Sequence, residues 1–140
     1  MTIDELIARL EAATGPSREL DREIADVFGL GPDESWERPM HQPGIHNMDV
    51  GAWIKGSRLR ESPRYSSSID AAVELAERLL PGRDISWSNF SRARGYSDGC
   101  TAIIGDTTWG SDPEAMATHK LPALALVIAT LRAKAQEDNT

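Results

Sequence analysis

The chain reads as an α+β protein, with helices packed on a small, mostly antiparallel sheet. Three observations predict this class. Tyr65-Ser-Ser-Ser-Ile-Asp-Ala-Ala-Val-Glu-Leu-Ala-Glu-Arg-Leu-Leu80 is a capped amphipathic helix. Residues 84–92 and 99–105 alternate apolar and polar positions around a turn-rich stretch. Leu121-Pro-Ala-Leu-Ala-Leu-Val-Ile-Ala-Thr-Leu-Arg-Ala133 is nearly all apolar. A helix, a hairpin and a buried helix in that order place a sheet against helices. With 140 residues the chain is read as a single domain, 1–140. A domain of that size buries roughly two-thirds of its unfolded surface.

Taken in order, Ile3, Leu6, Ile7 and Leu10 recur at helical spacing, so residues 3–13 form an amphipathic helix. Gly15 and Pro16 end it. Ser17 caps a second helix, Glu19 suits its first turn, and Leu20, Ile24, Val27 and Phe28 form its apolar stripe before Gly29. The two helices read as a helical hairpin. Residues 29–64 are a loop-rich insert. Gly29, Gly31, Pro32, Pro39, Pro43 and Gly44 make 29–47 a loop. Met48, Val50, Ala52 and Ile54 place a candidate strand at 48–55, and the polar, basic residues 56–66 read as a loop or an edge. Ser67 and Asp70 form an S-x-x-D capping box for the central helix. Ile69, Ala72, Val73, Ala76, Leu79 and Leu80 line that helix, and Pro81-Gly82 ends it. In the hairpin, Ile85 and Trp87 face one way and Ser86, Ser88 and Phe90 the other. Cys100, Ala102 and Ile104 likewise oppose Thr101 and Ile103, and Arg94-Gly-Tyr-Ser-Asp-Gly99 supplies the turn. Pro122 belongs to the first turn of the last helix. Leu121, Leu124, Val127, Ile128 and Leu131 form its wide apolar face.

The formal net charge of −7 disfavours nonspecific binding to nucleic acid. Its distribution is uneven: residues 1–37 hold ten acids and three bases, whereas 38–104 hold seven acids and nine bases. The acidity therefore belongs mostly to the first two helices, and the middle of the chain is mildly basic. Cys100, the single cysteine, cannot form an internal disulfide, which fits a reducing cytosol. The acidic start lacks the basic region of a signal peptide. The longest apolar run, 121–131, is about half of a membrane span. A cytoplasmic protein of a bacterial host, with no membrane partner, is the expectation.

Three segments resemble a known family. Tyr65-Ser-Ser-Ser-Ile-Asp-Ala-Ala-Val-Glu-Leu-Ala-Glu77 is similar to the start of the helix in the phage ABA-sandwich domain. Leu121–Ala133 looks like that domain's closing helix, where a proline opens an apolar run. Ile3-Asp-Glu-Leu-Ile-Ala-Arg-Leu-Glu-Ala-Ala-Thr-Gly-Pro-Ser-Arg-Glu-Leu-Asp21 resembles a variant found in phages and prophages. Ser68 stands where an acid is usual and Val73 where a tryptophan is common. The resemblance implies an α-β-α sandwich encoded by a phage or prophage, and it implies no general activity or catalytic set.

The residues themselves carry little chemistry. His41 and His46 lie five apart in a loop, with Asp49 near; the spacing matches no zinc pattern, and no metal or other cofactor is expected. Cys100 with His119 is a conceivable nucleophile–base pair, but an alternating strand face with Ala102 and Ile104 is where an inert cysteine sits. Glycine-rich phosphate loops are absent, and acid pairs such as Glu34 and Glu37 read as solvated surface. No enzyme is expected. The basic segments are the most informative. Lys55, Arg58, Arg60 and Arg64, less Glu61, give +3 within ten residues, and Arg83, Arg92 and Arg94 surround the hairpin. Trp53, Tyr65, Trp87, Phe90 and Tyr96 are interleaved with them. Arginine for phosphate and an aromatic for stacking is how nucleotides are held. The candidate ligand-binding residues are therefore Trp53, Arg58, Arg60, Arg64, Tyr65, Arg92, Arg94 and Tyr96. The plain alternative is that Trp53 and Trp87 are core and the arginines solvated. Trp36 and Trp109, in loops, either plug a core edge or anchor a partner.

Two functional expectations follow. One is a non-enzymatic accessory binding protein of phage origin that occupies a host protein, blocking a host factor or defence system. In that case the acidic N-terminal helices could mimic the charge of nucleic acid. The other is an oligomeric sponge that sequesters a nucleotide-type small molecule. A homo-oligomer is compatible with either, and a virion or assembly role is a further option.

Overall fold

Thr2 sets the first helix by a reciprocal box: its hydroxyl accepts from the Glu5 amide, and the Glu5 carboxylate reaches back to the Thr2 N–H. In the computed structural model, which describes residues 2–37, 51–89, 99–105 and 114–138, this helix is α1, Ile3–Ala12. Ser17 caps α2, Arg18–Val27, by accepting from the Leu20 amide. A short hairpin follows, β1 (Ala52–Lys55) and β2 (Arg58–Glu61), turned by Gly56 at φ 61°, a conformation that favours glycine. Then come α3 (Ile69–Leu79), β3 (Ile85–Asn89), β4 (Cys100–Ile104), β5 (Ala115–His119) and α4 (Pro122–Asp138). The fold is α+β, with four helices and two small antiparallel sheets among the described residues.

The three-stranded sheet has order β3-β4-β5. Trp87 pairs with Ala102 and Ala102 with Ala117, while Ile85, Ile104 and Ala115 share a second row. Paired residues lie on one face, so these positions form the inner face. It is rich in alanine, which lets α4 approach closely. Residues 123–131 of α4 are all buried, and the helix touches β4 and β5 on one side and α1 and α3 on others. A helix apolar all round is one enclosed by protein. Its largest side chains, Leu124, Leu126, Val127, Ile128 and Leu131, are essentially inaccessible, and each contributes about 1.5–3 kcal/mol by burial. Thr130, buried among them, donates to the Leu126 carbonyl four residues back. No helix among the described residues is long and apolar enough to cross a membrane.

Several local expectations shift. The first helix ends at Ala12, with Ala13 as its cap, a little before Gly15. The cap of α3 is Ser68, which accepts from Ala71 N, and not Ser67; Ser68 has the extended backbone a cap requires, while Ser67 lies in the preceding turn. The insert holds strand 52–55, and its basic continuation, expected as loop or edge, is the paired edge strand β2. Strand β5 was outside the expected elements. Trp87 lies on the inner face, as the alternation requires, yet is 43% exposed, because β3 is an edge strand.

Candidate functional site

The register of the β1–β2 hairpin decides which side chains meet. Trp53 pairs with Arg60 and Lys55 with Arg58, so these four share one face; Ala52, Ile54, Leu59 and Glu61 share the other. All four residues of β2 are exposed. The side chains of Arg58 and Arg60 make no hydrogen bond or ion pair among the described residues. Lys55, also exposed, is close enough to the Asp33 carboxylate to help hold that group below its usual range, after the stronger effect of hydrogen bonds from Ser35. The outer edge of β1 is closed by Glu37, which exchanges two backbone hydrogen bonds of 2.8 Å with Ile54. Among the described residues no strand pairs with the outer edge of β2.

A buried polar cluster anchors this hairpin to α2. Asp21 is wholly buried; its carboxylate accepts from Arg18 at 2.9 Å and from the Ser66 backbone amide at 2.7 Å. Arg18 also donates to the Ser62 carbonyl at 2.9 Å, and the Ser66 hydroxyl bridges the N–H and C=O of Ser17. The Ser62 amide and hydroxyl both bond Gly51 O. A side chain at residue 51 would stand 2.8 Å from the Arg18 guanidinium, so glycine is needed there for close approach. Trp53 completes the anchor: its ring N–H donates to Asp26 at 3.0 Å. Arg22 and Glu23 are buried as well, paired at 3.7 Å. Helix α2 thus turns much of its charge inward, where it ties elements together, and the acidic surface expected of the first two helices is confined to α1 and the start of α2.

The sequence-derived ligand set divides. Trp53 and Tyr65 are each 4% exposed and belong to the core, with burial pushing the Tyr65 hydroxyl above its ordinary pKa. Arg58, Arg60 and Arg64 are exposed, and only the first two share a hairpin face. Arg92, Arg94 and Tyr96 lie outside the described residues, as do His41, His46, Asp49, Phe90 and Trp109. Trp36 packs half-buried against the core. Among the described residues no group of three His, Cys, Asp or Glu side chains could hold a metal.

Cys100 and His119 are direct cross-strand partners on the inner face. Their surroundings oppose nucleophilic chemistry. His119 Nδ1 accepts from the Leu121 amide at 3.0 Å, so its proton sits on Nε2, which donates to the Ala13 carbonyl at 3.0 Å. Both ring nitrogens are therefore engaged in joining β5, α4 and α1. The Cys100 thiol is inaccessible, and burial raises its pKa, the reverse of activation. An open cleft of about 530 Å³ lies at the α1–α2 turn between Arg9, Ala13, Pro16 and Leu20, with an Arg9–Glu19 ion pair of 3.6 Å beside it. Among the described residues lining it, Arg9 is the charged one.

Against known proteins, no family model, no curated protein and no solved structure matches the chain.

Proposed function

We propose that this is a non-enzymatic binding protein, a phage- or prophage-encoded accessory factor of the host cytosol, that acts by occupying a host protein through its β1–β2 hairpin. The observation that carries the reading is the state of that hairpin. Arg58 and Arg60 stand exposed without partners among the described residues, on a ribbon whose base is held by the buried Arg18–Asp21–Ser66 cluster. Charges presented on a fixed support steer association and set specificity without catalysis. The resemblance of the central and closing helices to the phage family supports the accessory setting. A nucleotide sponge is less well supported, because Trp53 and Tyr65 are buried in the core and offer no face for stacking.

Native mass spectrometry of the chain purified from its bacterial host tests this, beside Arg58→Ser/Arg60→Ser. A protein partner at fixed stoichiometry, lost in the variant, is expected. A partner retained in full by the variant rules out the hairpin as interface. A co-purifying nucleotide mass would favour the sponge.

A further inference from the structure

We propose that β2 receives an extended acidic segment of the partner protein as an added β-strand, with acids opposite Arg58 and Arg60 and an apolar residue opposite Leu59. The inference rests on the reading of the hairpin as an interface. Its basis is the hydrogen-bond phase of the ribbon. Ile54 directs both backbone groups toward Glu37, away from β2. The Ile54–Leu59 pair is therefore the non-hydrogen-bonded kind, and Leu59 must direct its own N–H and C=O away from β1. The Ser62 amide bonds Gly51 O at 2.8 Å, so the alternation sends the groups of Glu61 outward too. These outward groups have no partner among the described residues. They form a short template of the kind used in strand addition, where main-chain bonds supply affinity and alternating side chains supply specificity.

The side chains select the occupant. Arg58 and Arg60 lie on one face of the strand, and Leu59, 58% exposed, lies on the other. An incoming strand is thus asked for acid, apolar, acid in succession. A second copy of the chain does not fit: antiparallel pairing of β2 with itself about Leu59 sets Arg58 opposite Arg60, and like charges directly opposed are destabilising. Nucleic acid would use the arginines but neither the open backbone groups nor Leu59, and it would meet a protein of net charge −7.

The test is fluorescence anisotropy of the full chain with a labelled eight-residue peptide alternating glutamate and leucine. Binding is expected, weakened by about tenfold or more when the same residues are arranged in two blocks, when the peptide backbone is N-methylated on alternate residues, or when Leu59→Pro removes the outward donor. The N-methylated peptide keeps the test valid even if Leu59→Pro fails to fold. Arg58→Glu/Arg60→Glu should lose this peptide and bind one alternating lysine and leucine. Equal binding of the alternating, blocked and N-methylated peptides would overturn strand addition, leaving simple charge attraction. Arginine-dependent binding of a DNA duplex, with no peptide binding, would place nucleic acid there instead. Hydrogen exchange on the complex with the natural partner separates the two levels. Protection of residues 51–61 with no peptide binding removes strand addition alone; no protection there removes the hairpin interface as well.

Discussion

The two halves of the molecule hold their elements together by different physics. Around α4 the contacts are apolar: alanines on the sheet and helix permit close approach, and leucines, Val127 and Ile128 fill the space between α1, α3 and the sheet. Around α2 the apolar contacts of Leu20, Ile24 and Ala25 are joined by a set of buried hydrogen bonds and ion pairs, with Asp21 at their centre. Apolar packing is non-directional and tolerant of exchange at constant volume. A buried polar cluster is directional: complete, it specifies one arrangement, and incomplete, it is costly. That difference suits the hairpin, whose orientation on α2 must be unique if Arg58 and Arg60 are to face a partner.

The comparison can be broken most severely at Asp21. Asp21→Ala removes the buried carboxylate that accepts from Arg18 and from the Ser66 amide, and a loss of about 3–5 kcal/mol is expected in urea unfolding. The joint replacement Asp21→Leu/Arg18→Met should cost clearly less than the single change, because no uncompensated charge remains; an additive result would show the cluster to be ordinary packing. In the other half, Leu124→Ala should cost about 2–5 kcal/mol, with no partner change able to relieve it except one that refills the volume.

A smaller effect is expected with pH. The Cys100 thiol and Tyr65 hydroxyl both hold their protons more tightly when folded, because burial disfavours their anions. The stability they contribute is whole below their unfolded values, ordinarily 9.0 and 10.0, and is lost as pH rises from there through the folded values. Melting temperatures should fall as pH rises through that range, and Cys100→Ala should flatten the lower part of the decline. An unchanged profile in that variant would assign the alkaline loss elsewhere. The smallest effect belongs to Arg58→Ser/Arg60→Ser, within about 0.5 kcal/mol of the native stability, since both side chains are exposed. A larger loss would mean that the hairpin arginines support the fold and are not held in reserve for a partner.

Much of the regular structure was legible. The period of Leu6 and Leu10, the Ser17 cap, the alternation of Cys100, Ala102 and Ile104, and the apolar run of α4 are local patterns with direct structural meaning. Strand β5 was missed although Ala115-Met-Ala-Thr-His119 alternates, because five residues between a loop and a helix carry a weak signal. The alternation of Arg58, Leu59, Arg60 and Glu61 likewise marked β2, but its polar composition reads equally as loop.

By itself the sequence determined the fold class, most helix limits and the alternating faces of β3 and β4, since these follow from caps and periods within a few residues. Tertiary structure alone decided that Asp21, Arg22 and Glu23 are buried, that Trp53 serves the core and not a ligand, that Trp87 is half exposed at an edge, and that Cys100 stands beside His119. Burial and pairing depend on what packs from distant parts of the chain. A charged side chain has the same local pattern whether it meets water or a partner 45 residues away, as Asp21 meets Ser66.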